Sequence, residues 1–173
     1  MQKAPIPSGE KKRLAALKAL NMLDTPYEER FDRITKLCAR VLDVPICLVS
    51  LVDTNRQWFK SCFGLSSKQT SRDVSFCGHA VLNDVAFIIP DAKKDKRFAN
   101  NPLVTGKHKI RFYAGIPLNP ITGKGVGTLC ILDRRPRHLS EDDVLTLRAF
   151  ARWVELEMGY PYVLQKARLK FYQ

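Results

Sequence analysis

Apolar positions in the first part of the chain recur at helical spacing. Leu14, Leu17 and Leu20 sit three apart with basic residues between them, which predicts a short amphipathic helix over 10–22. A second helix is expected over 26–42. Thr25-Pro26-Tyr27-Glu28 offers a capping hydroxyl, a proline suited to the first turn and the acid of a capping box. Behind it Phe31, Ile34, Leu37, Cys38, Val41 and Leu42 fall on one stripe. The period then changes. Ile46 to Val52 is short and rich in β-formers, and reads as a buried strand. The turn Asp53-Thr54-Asn55-Arg56 leads to Gln57–Phe63 as the second arm of a hairpin.

Residues 64–75 are polar and predict no regular element. Phe76 to Leu82 reads as a short helix entered through Asp73 or Ser75 and stopped by Asn83-Asp84, followed by a strand over 86–89 that Pro90 ends. Residues 91–110 form a long connection with one helical turn near 95–99, and loops of this length inside a compact domain are usually functional. Two further strands, 112–118 and 127–133, meet at a turn around Gly123-Lys124-Gly125. Ser140 opens a last helix, acidic in its first turn, with Val144, Leu147, Ala151, Val154 and Met158 as its stripe and Gly159 and Pro161 as its stop. The basic residues beyond form a tail or a further helix. Strands joined by tight turns argue for an antiparallel sheet and an α+β fold. The terminal helices would cover one face of that sheet, and residues 64–111 would cover the other and enclose a pocket.

Charge adds one feature to this picture. The net +12 is concentrated in residues 1–18 (+4), 93–111 (+6) and 161–173 (+3), and the rest sums to −1. Clusters of this kind are either solvated faces or a phosphate-binding surface, so a nucleic-acid-associated protein stands as one alternative, although no reading motif accompanies them. The longest apolar run, Ile46 to Val52, is seven residues, too short to span a membrane. The first seven residues lack the apolar core of a secretory signal. Five cysteines without CxxC spacing point to free thiols in a reducing cytosol, hence a cytoplasmic location and no zinc ribbon.

The candidate chemistry is thin. Three separated histidines do not make a metal centre, and the glycines of 123–127 lack the strand-to-helix setting of a phosphate loop. Cys77-Gly78-His79 invites a nucleophile–base reading, but residues two apart on a helix point to different sides. No third group orients the histidine. Cys77 as pocket wall is the plainer reading, and Cys77 as a redox thiol with Cys130 or Cys62 as partner is the alternative.

Several linked motifs nevertheless resemble a known family. Leu23-Asp24-Thr25-Pro26-Tyr27-Glu28-Glu29-Arg30-Phe31-Asp32-Arg33, Val49-Ser50-Leu51-Val52-Asp53 with Arg56-Gln57-Trp58-Phe59-Lys60, and Arg72-Asp73-Val74-Ser75-Phe76-Cys77-Gly78-His79-Ala80 are similar to bacterial GAF domains. So are Pro90-Asp91-Ala92, Asp95-x-Arg97-Phe98-Ala99-Asn100-Asn101-Pro102-Leu103-Val104, Ile110-Arg111-Phe112-Tyr113-Ala114-Gly115 and Gly127-Thr128-Leu129-Cys130. The resemblance covers about residues 12–158. It implies a GAF/PAS-like fold and divides the chain into an N-terminal basic amphipathic helix (1–24), a GAF domain (25–158) and a basic C-terminal tail or helix (159–173).

What the resemblance implies about function is a small-molecule-binding or redox-sensing module in signal transduction, free-standing or excised from a larger sensor. No cofactor is named by it. The implied pocket is lined by Phe59, Phe76, Cys77, His79, Asp91, Phe98, Tyr113 and Thr128, with Arg97, Lys107, Lys109 and Arg111 supplying charge toward an anionic ligand. Departures from relatives matter as much. Gly78 separates Cys77 from His79 where bilin-binding members have the two adjacent, and residues 106–110 hold no cysteine where the methionine sulfoxide reductases of the family carry their nucleophile. A GAF-type thiol reductase using Cys77 is therefore the lesser reading. The expected partners are an unidentified small molecule, a separate signalling effector and a second copy of the chain, paired through terminal helices by outward residues such as Leu17, Phe150 and Trp153.

Overall fold

The computed structural model describes residues 1–120, 123 and 125–171. Six strands form one antiparallel sheet in the order β3-β2-β1-β6-β5-β4, where β1 is Ile46–Val52, β2 Arg56–Phe63, β3 Gln69–Ser71, β4 Phe87–Ile89, β5 Phe112–Leu118 and β6 Gly127–Asp133. The three long helices are α1 (Glu10–Ala19), α2 (Glu29–Val41) and α5 (Glu141–Phe171). The short helices α3 (Phe76–Ala80) and α4 (Pro102–Thr105) lie in the segment between β3 and β5. Of the turn expected around Gly123-Lys124-Gly125, Lys124 lies outside the described residues.

Strand alternation sorts the core into two layers. Cys47, Val49 and Leu51 of β1, Phe112, Ala114 and Ile116 of β5, and Leu129 and Ile131 of β6 meet the long helices. Ile46 and Leu48 of β1, Tyr113 of β5, and Cys130 and Leu132 of β6 meet α3 and the long loops. The expected α+β architecture, with helices on one face and the 64–111 segment on the other, is the observed one.

Local details differ from the sequence reading for identifiable reasons. The second helix starts at Glu29, not at Pro26, and Glu28 caps it in extended conformation without a side-chain hydrogen bond. Thr25 does not cap: its hydroxyl donates to the Met22 carbonyl at 2.7 Å and accepts from the Lys60 ammonium at 2.7 Å. Lys60 is fully buried, and it also reaches the Pro26 carbonyl and pairs with Glu28. A buried ammonium must have its protons taken, and three acceptors from residues 25–28 hold that segment extended.

Leu37 and Val41, assigned to the buried stripe, are 42 % and 55 % exposed. Leu17, expected to point outward, is fully buried, and Ala16, Leu20 and Met22 join the same core, so the N-terminal helix is part of the helical layer. Residues 64–75 contain β3 and a single 3-10 turn, Arg72–Val74, and α4 was not foreseen either. Asn101 caps α4 by accepting from the Leu103 amide, with Pro102 in the first turn. Nor do Gly159 and Pro161 stop the last helix, which runs to Phe171. No described helix is long and apolar enough to cross a membrane.

Candidate functional site

The second face of the sheet carries a chamber. Ser75 starts it: its hydroxyl caps α3 by accepting from the Gly78 amide at 2.9 Å and donates to Gln57 Oε1 on β2. This fixes α3 over the centre of the sheet and turns Phe76 and Cys77 inward, where both are 2 % exposed. Leu48, Gln57, Phe59, Phe76, Cys77, Ile110, Tyr113, Cys130 and Leu132 form the closed inner end of a cavity of about 30 Å³. Half-buried Leu65, Ser67, Thr70, Leu103 and His108 form its outer end. A space of that size takes one or two waters, or a ligand of similar bulk.

The polar atoms of the chamber converge on Cys77. Cys130 Sγ lies 3.7 Å from Cys77 Sγ, and the Tyr113 hydroxyl donates to Cys77 Sγ at 3.4 Å. Gly115 makes the second contact possible. Two residues along the same strand face, it leaves open the space in which the Tyr113 phenol lies, and a Cβ there would sit 2.2 Å from that hydroxyl. Burial pushes the Cys77 thiol up, but hydrogen bonds with Cys130 and Tyr113, with the Thr128 and Ser50 hydroxyls close by, outweigh it and hold Cys77 below the ordinary thiol value. Cys130 moves the other way, raised by burial and by the Cys77 sulfur beside it. Of the pair, Cys77 is the stronger acid. Tyr113 is likewise raised by burial and by the charge of Cys77.

The structure divides the residues nominated from sequence into three groups. Phe59, Phe76, Cys77 and Tyr113 line the chamber, and Thr128, fully buried with an Oγ1 free of hydrogen bonds of good geometry, lies close behind Cys77. Phe98, His79 and Arg97 form an outer layer. Phe98 stacks on the far side of Phe76 at 4.5 Å, His79 meets Phe98 edge-on at 4.9 Å, and the Arg97 guanidinium lies over Phe87 and Phe98 at 4.9 and 5.3 Å. His79 Nε2 contacts the Gln2 carbonyl at 3.1 Å, and the ring is held below its usual value by burial.

Asp91 and Arg111 are half-buried away from the chamber, joined to each other at 2.8 Å. Arg97 pairs with Asp95, and Lys107 and Lys109 are exposed, so none of these four cations lines the chamber. Sequence reasoning passed over Leu48 and Gln57, and His108, one of the three separated histidines, lines the chamber's outer end. Cys130 and Leu132 were legible: they follow Thr128 at two-residue spacing, on one face of β6. No cluster of three or more metal-ligating side chains occurs among the described residues.

The GAF domain model matches residues 26–158. This chain belongs to the GAF family. It is 42 % identical over 155 residues to a cyclic di-GMP phosphodiesterase of Pseudomonas aeruginosa, a match covering 89 % of this chain and 26 % of that protein. The chain thus spans about a quarter of the length of this relative. Among solved structures, the GAF domain of an Acinetobacter phosphoenolpyruvate-protein phosphotransferase superposes with a TM-score of 0.63 at 16 % identity, covering 91 % of this chain and 96 % of that one. The free methionine-R-sulfoxide reductase of Neisseria meningitidis superposes with a TM-score of 0.61 at 15 % identity, covering 93 % and 99 %. Both likenesses establish the fold.

Proposed function

We propose that this chain is a sensory input module with no catalysis of its own, in which a small molecule or a change of thiol state in the chamber is passed through the sheet to α5. The observation that carries this reading is the position of the chamber on the strands that seat the helices. Cys130 and Leu132 of β6 face the chamber, while Leu129 and Ile131 between and before them face the helical layer. A displacement of β6 by the chamber's contents therefore moves the seat of α5. The likeness to a quarter of a cyclic di-GMP phosphodiesterase supports cyclic di-GMP hydrolysis as the output. The thiol reductase reading is less favoured, because Cys77 is 2 % exposed and its chamber has no room for an amino-acid substrate.

The same proposal includes pairing of two copies through the helical layer. Leu37 and Val41 of α2 and Leu145, Trp153, Leu156 and Tyr160 of α5 are exposed apolar or aromatic residues on that outer side. Phe150, nominated for this role from sequence, is instead partly buried against the core.

The test is a chimera in which this chain replaces the matching region of the Pseudomonas phosphodiesterase. Native mass spectrometry of the purified chain would run alongside it. Filling the chamber with Leu48→Phe is expected to change the rate of cyclic di-GMP hydrolysis at least about threefold while the thermal midpoint stays within a few degrees. A folded chimera whose rate ignores the chamber substitution would overturn the sensory reading.

A further inference from the structure

Resting on that reading, we propose that Cys77 and Cys130 are a reversible peroxide-responsive pair, and that their disulfide is the state the module reports. Four observations on the structure converge here. The two sulfurs are 3.7 Å apart, so a bond of about 2 Å requires them to close by less than about 2 Å. They belong to different elements, α3 and β6, so closure draws a short helix against a central strand. The cavity of about 30 Å³ reaches from half-buried loop residues inward to both sulfurs, and it admits molecules the size of water or hydrogen peroxide. Around the sulfurs stand the Tyr113 donor and the Thr128 hydroxyl, a buried polar group free of hydrogen bonds of good geometry.

The step balances with a hydroperoxide as oxidant. The Cys77 thiolate attacks one peroxide oxygen, the O–O bond breaks, and sulfenic acid and hydroxide form. Cys130 sulfur then attacks the sulfenic sulfur; the S–S bond forms, the S–O bond breaks, and the departing hydroxyl takes the Cys130 proton to leave as water. Each thiol loses one hydrogen, and the peroxide is reduced to two water equivalents. Cys77, held down by its hydrogen-bond partners, takes the attacking role, and Cys130, raised first by burial and then by the Cys77 sulfur, the resolving role. A thiol reductant reverses the change.

The chain carries its own control. Cys38 and Cys47 are also buried, in the helical layer, where Cys47 is pushed up by burial and by Cys38 beside it. Neither lines the chamber that brings peroxide to Cys77.

The test treats the reduced full chain with hydrogen peroxide, unfolds it, alkylates free thiols and maps the peptides by mass spectrometry. The expected result is a Cys77–Cys130 cross-linked peptide, a fall of at least about tenfold in alkylated Cys77, and full alkylation of Cys38 and Cys47. Cys130→Ser should instead leave one added oxygen at Cys77, open to capture by a dimedone probe, and dithiothreitol should restore both thiols in the wild type. The wild-type map alone overturns the proposal if Cys77 and Cys130 remain alkylated, or if the cross-link joins other cysteines. The chimera separates the two readings. A cross-link that forms without altering hydrolysis overturns the sensory function and leaves the pair; hydrolysis that follows the chamber without any cross-link overturns the pair alone.

Discussion

One set of strands presents two very different faces. The helical face is covered by helices of 10, 13 and 31 residues and buries a core that runs from Ala16 to Met158. The chamber face is covered by helices of five and four residues joined by loops. The difference reaches the chemistry of the cysteines. Cys47 on the helical face and Cys77 on the chamber face are both buried, yet burial and Cys38 raise the first, whereas thiol and hydroxyl donors lower the second against burial. Acid strength is set by the donors that a face can place nearby. The helical side surrounds Cys47 with apolar contact and Cys38, while its buried Lys60, Ser61 and Thr35 bond to α2 and the segment before it. Short, irregular elements leave the other free to gather polar groups.

The largest test of this division is a pair of truncations. Phe31 on α2 is fully buried, with Arg30 and Lys60 over its ring at 4.7 and 5.7 Å. Phe31→Ala should cost about 3–5 kcal/mol in urea unfolding, from lost burial and the cavity left behind. Leu103→Ala on α4, half-buried at the chamber's outer end, should cost about 1 kcal/mol. Equal losses would mean that both faces contribute alike to the global fold.

A second test concerns the clamp joining the layers. Glu10 at the start of α1 accepts from Arg13 at 2.8 Å and pairs with Arg72, in the 3-10 turn before α3, at 2.5 Å. The Arg13 hydrogen bonds, then burial opposing them and Arg72 reinforcing them, bring its carboxyl down from 4.5 to about 2. The folded value lies below the unfolded one. The stabilisation is therefore fully present above pH 4.5 and disappears as pH falls toward about 2. Glu10→Gln should cost about 2 kcal/mol at neutral pH, with wild type and variant converging at the acid end. A constant difference across the range would show that the carboxylate charge is not what holds the clamp.

The sequence disclosed the helical face more readily than the chamber. Amphipathic stripes such as Leu147–Met158 and unbroken strands such as Ile46–Val52 and Phe112–Leu118 are periodic and form as expected, although Val144, assigned to the same stripe, stays half-buried outside the core. Residues 64–75 and 91–110 have no period, so β3 and α4 were hidden; only the Asn101-Pro102 cap marked the latter. Alternation could place Thr128, Cys130 and Leu132 together, but not the rotation of α3 that brings Cys77 to Cys130. The same limit explains Asp91, Arg97 and Arg111. The arginines suggested an anion site and Asp91 a pocket wall, but each found an opposite charge within 20 residues in sequence, by contacts that composition does not reveal.

A smaller effect isolates the chamber's chemistry from its stability. Gly115→Ala would push the Tyr113 hydroxyl off Cys77, since the new Cβ falls 2.2 Å from it. Tyr113→Phe removes the same donor without crowding. Both should slow the oxidation of Cys77 by hydrogen peroxide at neutral pH severalfold, read by alkylation after unfolding, while costing about 1–2 kcal/mol, because a thiolate that loses a donor is less populated. Cys47 on the opposite face should keep its reactivity in both variants. If Cys47 changes in parallel, the effect is a general loosening and the two faces are not chemically independent.

The smallest effect on stability belongs to the outer side of the helical layer. On α5, Leu145, Trp153, Leu156 and Tyr160 lie within about a quarter-turn of one another, across the helix axis from the core stripe of Leu147, Ala151, Val154 and Met158. Leu145 and Leu156 are 62 % and 59 % exposed, so replacing them removes few contacts within the chain. Leu145→Glu with Leu156→Glu should therefore change monomer stability by no more than about 0.5 kcal/mol. Pairing should respond strongly, because two carboxylates per chain would be buried against their symmetry mates at a two-fold contact. Light scattering at micromolar concentration should show a dimer for the wild type and a monomer for the double variant. A dimer that survives the substitutions would place the contact elsewhere, and a wild type that is monomeric throughout would remove pairing from the proposed signalling route.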